Sequence, residues 1–133
     1  MTNIQAAIGI AQLNKIEMIL EKKNRVYLFY LKNLTNKVTF PKILKGSISS
    51  HWMCPILFKT EEDQRKTVNA LTKNGIETRP FFTPIDLLPF YEVDIECESA
   101  KNIYKRGLLL PSFPSLQKRE LIKIVDIIKN SLK

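Results

Sequence analysis

Cysteine and histidine are scarce: the 133 residues include two cysteines and one histidine. Cys54 and Cys97 form no C-x-x-C pair, so a zinc site is not expected and both thiols read as reduced. Long apolar runs are also missing. No stretch approaches the roughly 20 apolar residues of a membrane span, and the N-terminus lacks the basic head and cleavage site of a signal peptide, which makes the cytoplasm the expected location. Acidic residues are in deficit, 13 against 21 lysines and arginines, giving a net charge of +8. That excess raises nucleic acid as a partner. Its distribution argues against one: Lys22, Lys23, Arg25, Lys42, Lys45, Lys105, Arg106, Lys118, Arg119, Lys129 and Lys133 are scattered and mixed with glutamates, with no RNA-recognition motif or helix-turn-helix spacing.

What is present fits one ordinary domain, with 44% hydrophobic and 26% charged residues. Residues 3–34 contain no proline, and Ile4, Ile8, Ala11, Ile16, Leu20, Tyr27, Leu31 and Leu34 recur near helical spacing, predicting one long helix capped by Thr2 or Asn3. Such a helix is about 45 Å long, against about 36 Å for a compact globule of this length, so part of it must project. Its first third, I-Q-A-A-I-G-I-A-Q-L, is apolar on nearly every face and carries small residues that would let another backbone approach. A break near Gly9, folding the helix on itself, is the alternative.

Residues 36–50 read as a connector. Ser50 to Phe58 predicts a strand with both faces largely apolar, in which Pro55 demands a bulge or an edge. His51, at its start, reads as a packing residue rather than a catalyst. Thr60 followed by Glu61, Glu62 and Asp63 starts a helix that ends at Gly75, a residue suited to the left-handed position after a helix. Ile76 to Arg79 alternates as a short strand. Pro80, Pro84 and Pro89 then stiffen a segment carrying Phe81, Phe82, Phe90 and Tyr91 as apolar anchors and Arg79 and Asp86 as charged groups. That segment is either a presenter of these groups or a connector whose aromatics cap the core. A helix over 98–106, a strand at L-L-L after Gly107, and a helix over 118–132 stapled by Leu116 and Leu121 complete the chain. The order predicts a two-layer α+β fold, a small sheet covered by helices, with residues 1–34 as an interface helix and residues 35–133 as a small α+β domain.

Three stretches resemble one family. M-T-N-I-Q-A-A-I-G-I-A-Q-L at 1–13, G-I-E-T-R-P-F-F-T-P-I-D-L-L-P-F-Y at 75–91 and R-G-L-L-L-P-S-F-P at 106–114 are similar to the C-terminal part of the DegT/DnrJ/StrS sugar aminotransferases, pyridoxal-phosphate enzymes of aspartate-aminotransferase fold. The resemblance implies transfer of an amino group, usually from glutamate, to a nucleotide-linked keto sugar by a homodimer with sites at the subunit interface. It implies that Asn3 reaches the cofactor phosphate of the neighbouring subunit, that Arg79 of the T-R-P motif edges the substrate cleft, and that Asp86 stands where many relatives have a substrate-facing histidine. An anion at that position would disfavour sugar phosphates. The family's cofactor-anchoring lysine, pyridine-facing aspartate and ring-stacking aromatic have no counterpart in these residues. The chain therefore reads as a C-terminal fragment, a split frame or one half of a two-chain enzyme, with no catalytic residue and no covalently bound cofactor of its own. The competing readings are a stand-alone interaction module built on the first helix and, more weakly, a basic nucleic-acid binder.

Overall fold

A computed structural model describes residues 1–91 and 96–133. Two helices begin the chain, α1 (Asn3–Leu13) and α2 (Ile16–Leu34). The single helix expected over 3–34 is thus interrupted, and at Asn14–Lys15 rather than at Gly9. Lys15 departs to φ −113° and its N–H bonds back three residues to Gln12 instead of four, so the α-helical ladder lapses for one turn. Thr2 is the cap of α1: its hydroxyl accepts from the Gln5 N–H while its own N–H donates to the Gln5 side chain. Asn3 is therefore the first helical residue, not the cap.

No residue of α1 is buried. The second half of α2 behaves oppositely, placing Val26, Tyr27, Tyr30 and Leu34 in the core. Those four positions fall on one helical face, which Lys23 shares, while Arg25 lies opposite it.

The sheet is small. Strand β1 (Cys54–Leu57) pairs antiparallel with β2 (Gly107–Leu110), Cys54 opposite Leu110 and Leu57 opposite Gly107. The strand expected from Ser50 is shorter because His51 takes a positive φ of 46°, which breaks the extended run ahead of Cys54. The strand expected at Ile76–Arg79 contracts to one bridge, Arg79 to Leu109, and a matching bridge joins Thr39 to Leu57 on the other side. Three strand-helix units thus become a two-stranded sheet with a single rung on each flank. Pro55 fits at an edge: Leu57 donates to Thr39, and Pro55, whose nitrogen lies on the same side two residues earlier, falls beyond that lone rung.

Helices α3 (Glu61–Lys73), α4 (Glu98–Arg106) and α5 (Lys118–Ser131) cover the sheet with α2. α5 packs on α2 and α3, and α4 on α3. The core joins Ile56, Phe58, Leu108 and Leu110 of the strand regions to Leu71, Ile124, Val125 and Ile128 of the helices. Thr60 caps α3 by accepting the Asp63 N–H. Gly75 ends α3 at φ 72°, with its N–H on the Thr72 carbonyl and that of Ile76 on the Leu71 carbonyl, the paired bonds of a Schellman turn. Leu116 and Leu121 flank the start of α5 and are both buried. The fold is α+β, as the element order predicts.

Candidate functional site

The three residues singled out by the family resemblance do not meet in one cleft. Asn3 sits at the exposed tip of α1. Arg79 lies on the flank of β2 and is three-quarters exposed, its guanidinium 2.9 Å from Glu77. Asp86 is turned inward: its side chain is 5% exposed, Oδ2 accepts the Cys97 N–H at 2.9 Å, and the Lys101 ammonium lies 3.2 Å away. The backbone bond from Cys97, followed by Lys101, holds the Asp86 carboxyl below the usual carboxylate range, and Asp86 in turn raises Lys101. The negative charge expected to repel sugar phosphates is thus met by an ammonium at the start of α4.

The proline-stiffened segment is anchored at three points, by the Arg79–Leu109 backbone pair, by Asp86 on α4 and by Phe81, whose ring lies over Gly107. Of the four aromatics expected as apolar anchors, only Phe81 packs. Phe82 and Phe90 are 72% and 90% exposed and Tyr91 is 56% exposed, so the segment presents these rings outward.

Arg79 lines a cleft of about 730 Å³. Its lining includes the apolar Ile76, Leu109 and Leu110, the aromatic Trp52 and Phe113, and the cation Lys23. Lys23, counted in the sequence among scattered surface charges, is half-buried and donates to the Trp52 carbonyl at 2.8 Å and the Ser112 carbonyl at 3.0 Å. Burial pulls its pKa down. One helical turn on, Tyr27 stacks on His51 with centroids 3.9 Å apart. Lys23 and Tyr27, at i and i+4, therefore grip Trp52 and His51 from one face of α2. No sequence spacing signals this grip, because its partners are 29 and 89 residues from Lys23.

His51 packs, as expected, and burial together with Lys23 keeps its pKa below the ordinary value. Cys54 is buried and pushed up to about 12, an inert thiol. Among the described residues no three His, Cys, Asp or Glu side chains converge as metal ligands, and no helix is long and apolar enough to cross a membrane.

The model of the DegT/DnrJ/EryC1/StrS aminotransferase family matches residues 1–129, and the chain belongs to that family. It is 37% identical over 129 residues to a GDP-perosamine synthase of Escherichia coli O157:H7, covering 96% of this chain and 35% of the relative. It is 35% identical over 136 residues to a GDP-perosamine synthase of Vibrio cholerae, covering 98% of this chain and 37% of the relative. The fold matches the aminotransferase TlmJ from Streptoalloteichus hindustanus with a TM-score of 0.88 at 18% identity, over 96% of this chain and 35% of that one. The chain thus spans about a third of the length of the curated relatives it matches.

Proposed function

We propose that this chain is the C-terminal small domain of a nucleotide-sugar aminotransferase that uses pyridoxal phosphate, and that it is not catalytic by itself. The family match over residues 1–129 carries the reading, together with a first helix that buries nothing within its own domain. Residues 1–34 form the interface arm, rooted through α2 in the core, and residues 35–133 the body. The remaining two-thirds of the enzyme, on the same or a second chain, supplies the lysine that anchors the cofactor. Two copies associate through α1, and the assembly works in the cytoplasm on a nucleotide-linked keto sugar with glutamate as amino donor.

The start of α1 suits a phosphate. Gln5 and Ala6 spend their N–H groups on Thr2, while the N–H groups of Asn3 and Ile4 have no partner among the described residues, and the first turn carries no acid. The Asn3 amide adds a further donor. When bound, pyridoxal phosphate supplies the electron sink for amino transfer. Asn3 holds its phosphate from across the subunit interface. Arg79 contributes a mobile cation at the edge of the substrate cleft, released from Glu77 at little cost because both are exposed. Asp86 serves the substrate side by fixing the segment that carries Arg79 onto α4.

The test is a chimera joining this chain to the N-terminal two-thirds of the Escherichia coli relative. The chimera should transfer an amino group from glutamate to a nucleotide-linked keto sugar, and the 133-residue chain should not. Within it, Asn3→Ala should weaken cofactor retention roughly ten- to a hundredfold, the loss of a hydrogen bond to a charged group. Mixed dimers of Asn3→Ala with a subunit lacking the anchoring lysine should regain activity. Transamination by the chain alone, or mixed dimers no better than either parent, would overturn the reading.

A further inference from the structure

The basic excess that is scattered along the chain is gathered in space. Residues 15–37 and 117–133 hold 11 of the 21 lysines and arginines but only four of the 13 acids, so +7 of the net +8 belongs to α2, α5 and the residues at their ends. These two helices pack on each other. Every ion pair among the described residues lies elsewhere, Lys66 with Glu62, Arg79 with Glu77, and Lys101 with Asp86 and Glu96. The charge of α2 and α5 thus meets no counter-charge among the described residues.

Helical spacing sets much of this charge along one seam. On α2, Met18, Lys22, Arg25, Phe29 and Lys32 follow one another by four, three, four and three residues and form a single stripe. Arg25 donates to the Leu116 carbonyl at 3.0 Å, which lays that stripe beside the start of α5. On α5, Lys123 turns to the Asn74 carbonyl at the end of α3 and Ser131 bonds Thr67 of α3, so the stripe of Lys118, Ile122 and Lys129 lies on the opposite flank, toward α2. Glu21 and Asp126 border the seam, and neither pairs with a cation among the described residues. Lys22, Lys32 and Lys118 are exposed, and two apolar side chains stand among them, Met18 at 46% and Ile122 at 44% exposure. The one aromatic ring of the stripes, Phe29, is partly buried against the core rather than presented for a nucleobase to stack on. Apolar side chains set among cations gain nothing on a phosphate backbone, whereas they gain burial where anionic headgroups overlie hydrocarbon.

We propose that the α2–α5 seam is a peripheral docking surface for an anionic lipid membrane, with Lys22, Lys32, Lys118 and Lys129 on the headgroups and Met18 and Ile122 at the acyl boundary. This surface goes beyond the aminotransferase reading and does not depend on it. The test is co-sedimentation of the 133-residue chain with vesicles of equal parts phosphatidylglycerol and phosphatidylcholine, and with vesicles of phosphatidylcholine alone. At about 0.1 M salt, partition onto the anionic vesicles should exceed that onto the neutral ones by about tenfold or more. It should fall away at about 1 M, where the screening length drops from about 10 Å to about 3 Å. Lys22→Glu combined with Lys118→Glu should cut the anionic partition about tenfold or more. Lys73→Glu combined with Lys105→Glu makes the same change of net charge at exposed ends of α3 and α4, and should leave partition within about twofold. Equal partition onto the two kinds of vesicle, no difference between the two charge-reversed pairs, or a tighter hold on duplex DNA than on the anionic vesicles at matched anion concentration would each overturn the proposal.

Discussion

Phe81 lies so close over Gly107 that a Cβ built on the glycine would sit 2.5 Å from two ring carbons. Gly107 has φ −87° and ψ 152°, ordinary extended values, so the glycine is required by space and not by conformation. It opens β2, and Phe81 follows the Arg79 rung of the same sheet, so one contact seats the proline-stiffened segment on the strand.

Gly107→Ala should therefore cost about 1–3 kcal/mol, the usual range for overpacking, although alanine is otherwise the better residue at that φ and ψ. Urea unfolding of the two proteins measures it. Phe81→Ala in the Gly107→Ala background should recover part of the loss, because the clashing ring is gone; equal stability of wild type and Gly107→Ala would show that the segment slides freely.

Asp86 and Lys101 set a second expectation. The Asp86 pKa is held below its ordinary 3.8, so its contribution to stability is in place above that value and is lost as pH falls through the lowered one. Lys101 is raised above its ordinary 10.5, so its share is in place below that value and is lost only as pH rises through the higher one. Across neutral pH the latch is closed. In Asp86→Asn the acid limb of the thermal-stability profile should become shallower and the proline-stiffened segment should exchange its amide hydrogens faster at pH 7. An acid limb identical to that of wild type would contradict the latch.

His51 titrates in the opposite sense to a salt-bridged histidine. Burial, with Lys23 beside it, lowers its pKa from 6.5, so the unfolded chain takes up a proton before the folded one does and stability falls as pH drops below 6.5. NMR titration of the single imidazole should give a midpoint below 6.5, and Lys23→Met should move it upward.

The exposed face of α1 predicts self-association. Ile4, Ile8, Ile10 and Leu13 are each more than half exposed, and covering one such side chain is worth roughly 1.5–3 kcal/mol. Sedimentation should detect dimers of the chain that Ile8→Asp dissociates. A monomer unaffected by Ile8→Asp would remove α1 as the interface.

Helices with local signals were legible from the sequence. Thr60 ahead of three acids, Gly75 after an amphipathic stretch and the apolar stripe of 118–132 are each read over a few residues, and the cap, the left-handed turn and the buried face follow from them. The strands were less so. Apolar alternation marks Ser50–Phe58 and Ile76–Arg79 as extended, but how many rungs form depends on partners far along the chain, and the lone rungs at Thr39 and Arg79 could not be counted in advance.

What the sequence determined by itself is the α+β class, the ends of α3, α4 and α5 and the family, because caps, periodicity and contiguous motifs are local. Only the tertiary structure decided that Asp86 faces Lys101, that Phe81 alone of the segment's aromatics packs, and that Lys23 leaves the scattered basic surface to bind the carbonyls of Trp52 and Ser112, both distant from it along the chain. Each of these turns on which side chains lose water together, and desolvation depends on neighbours in space that no spacing along the chain records.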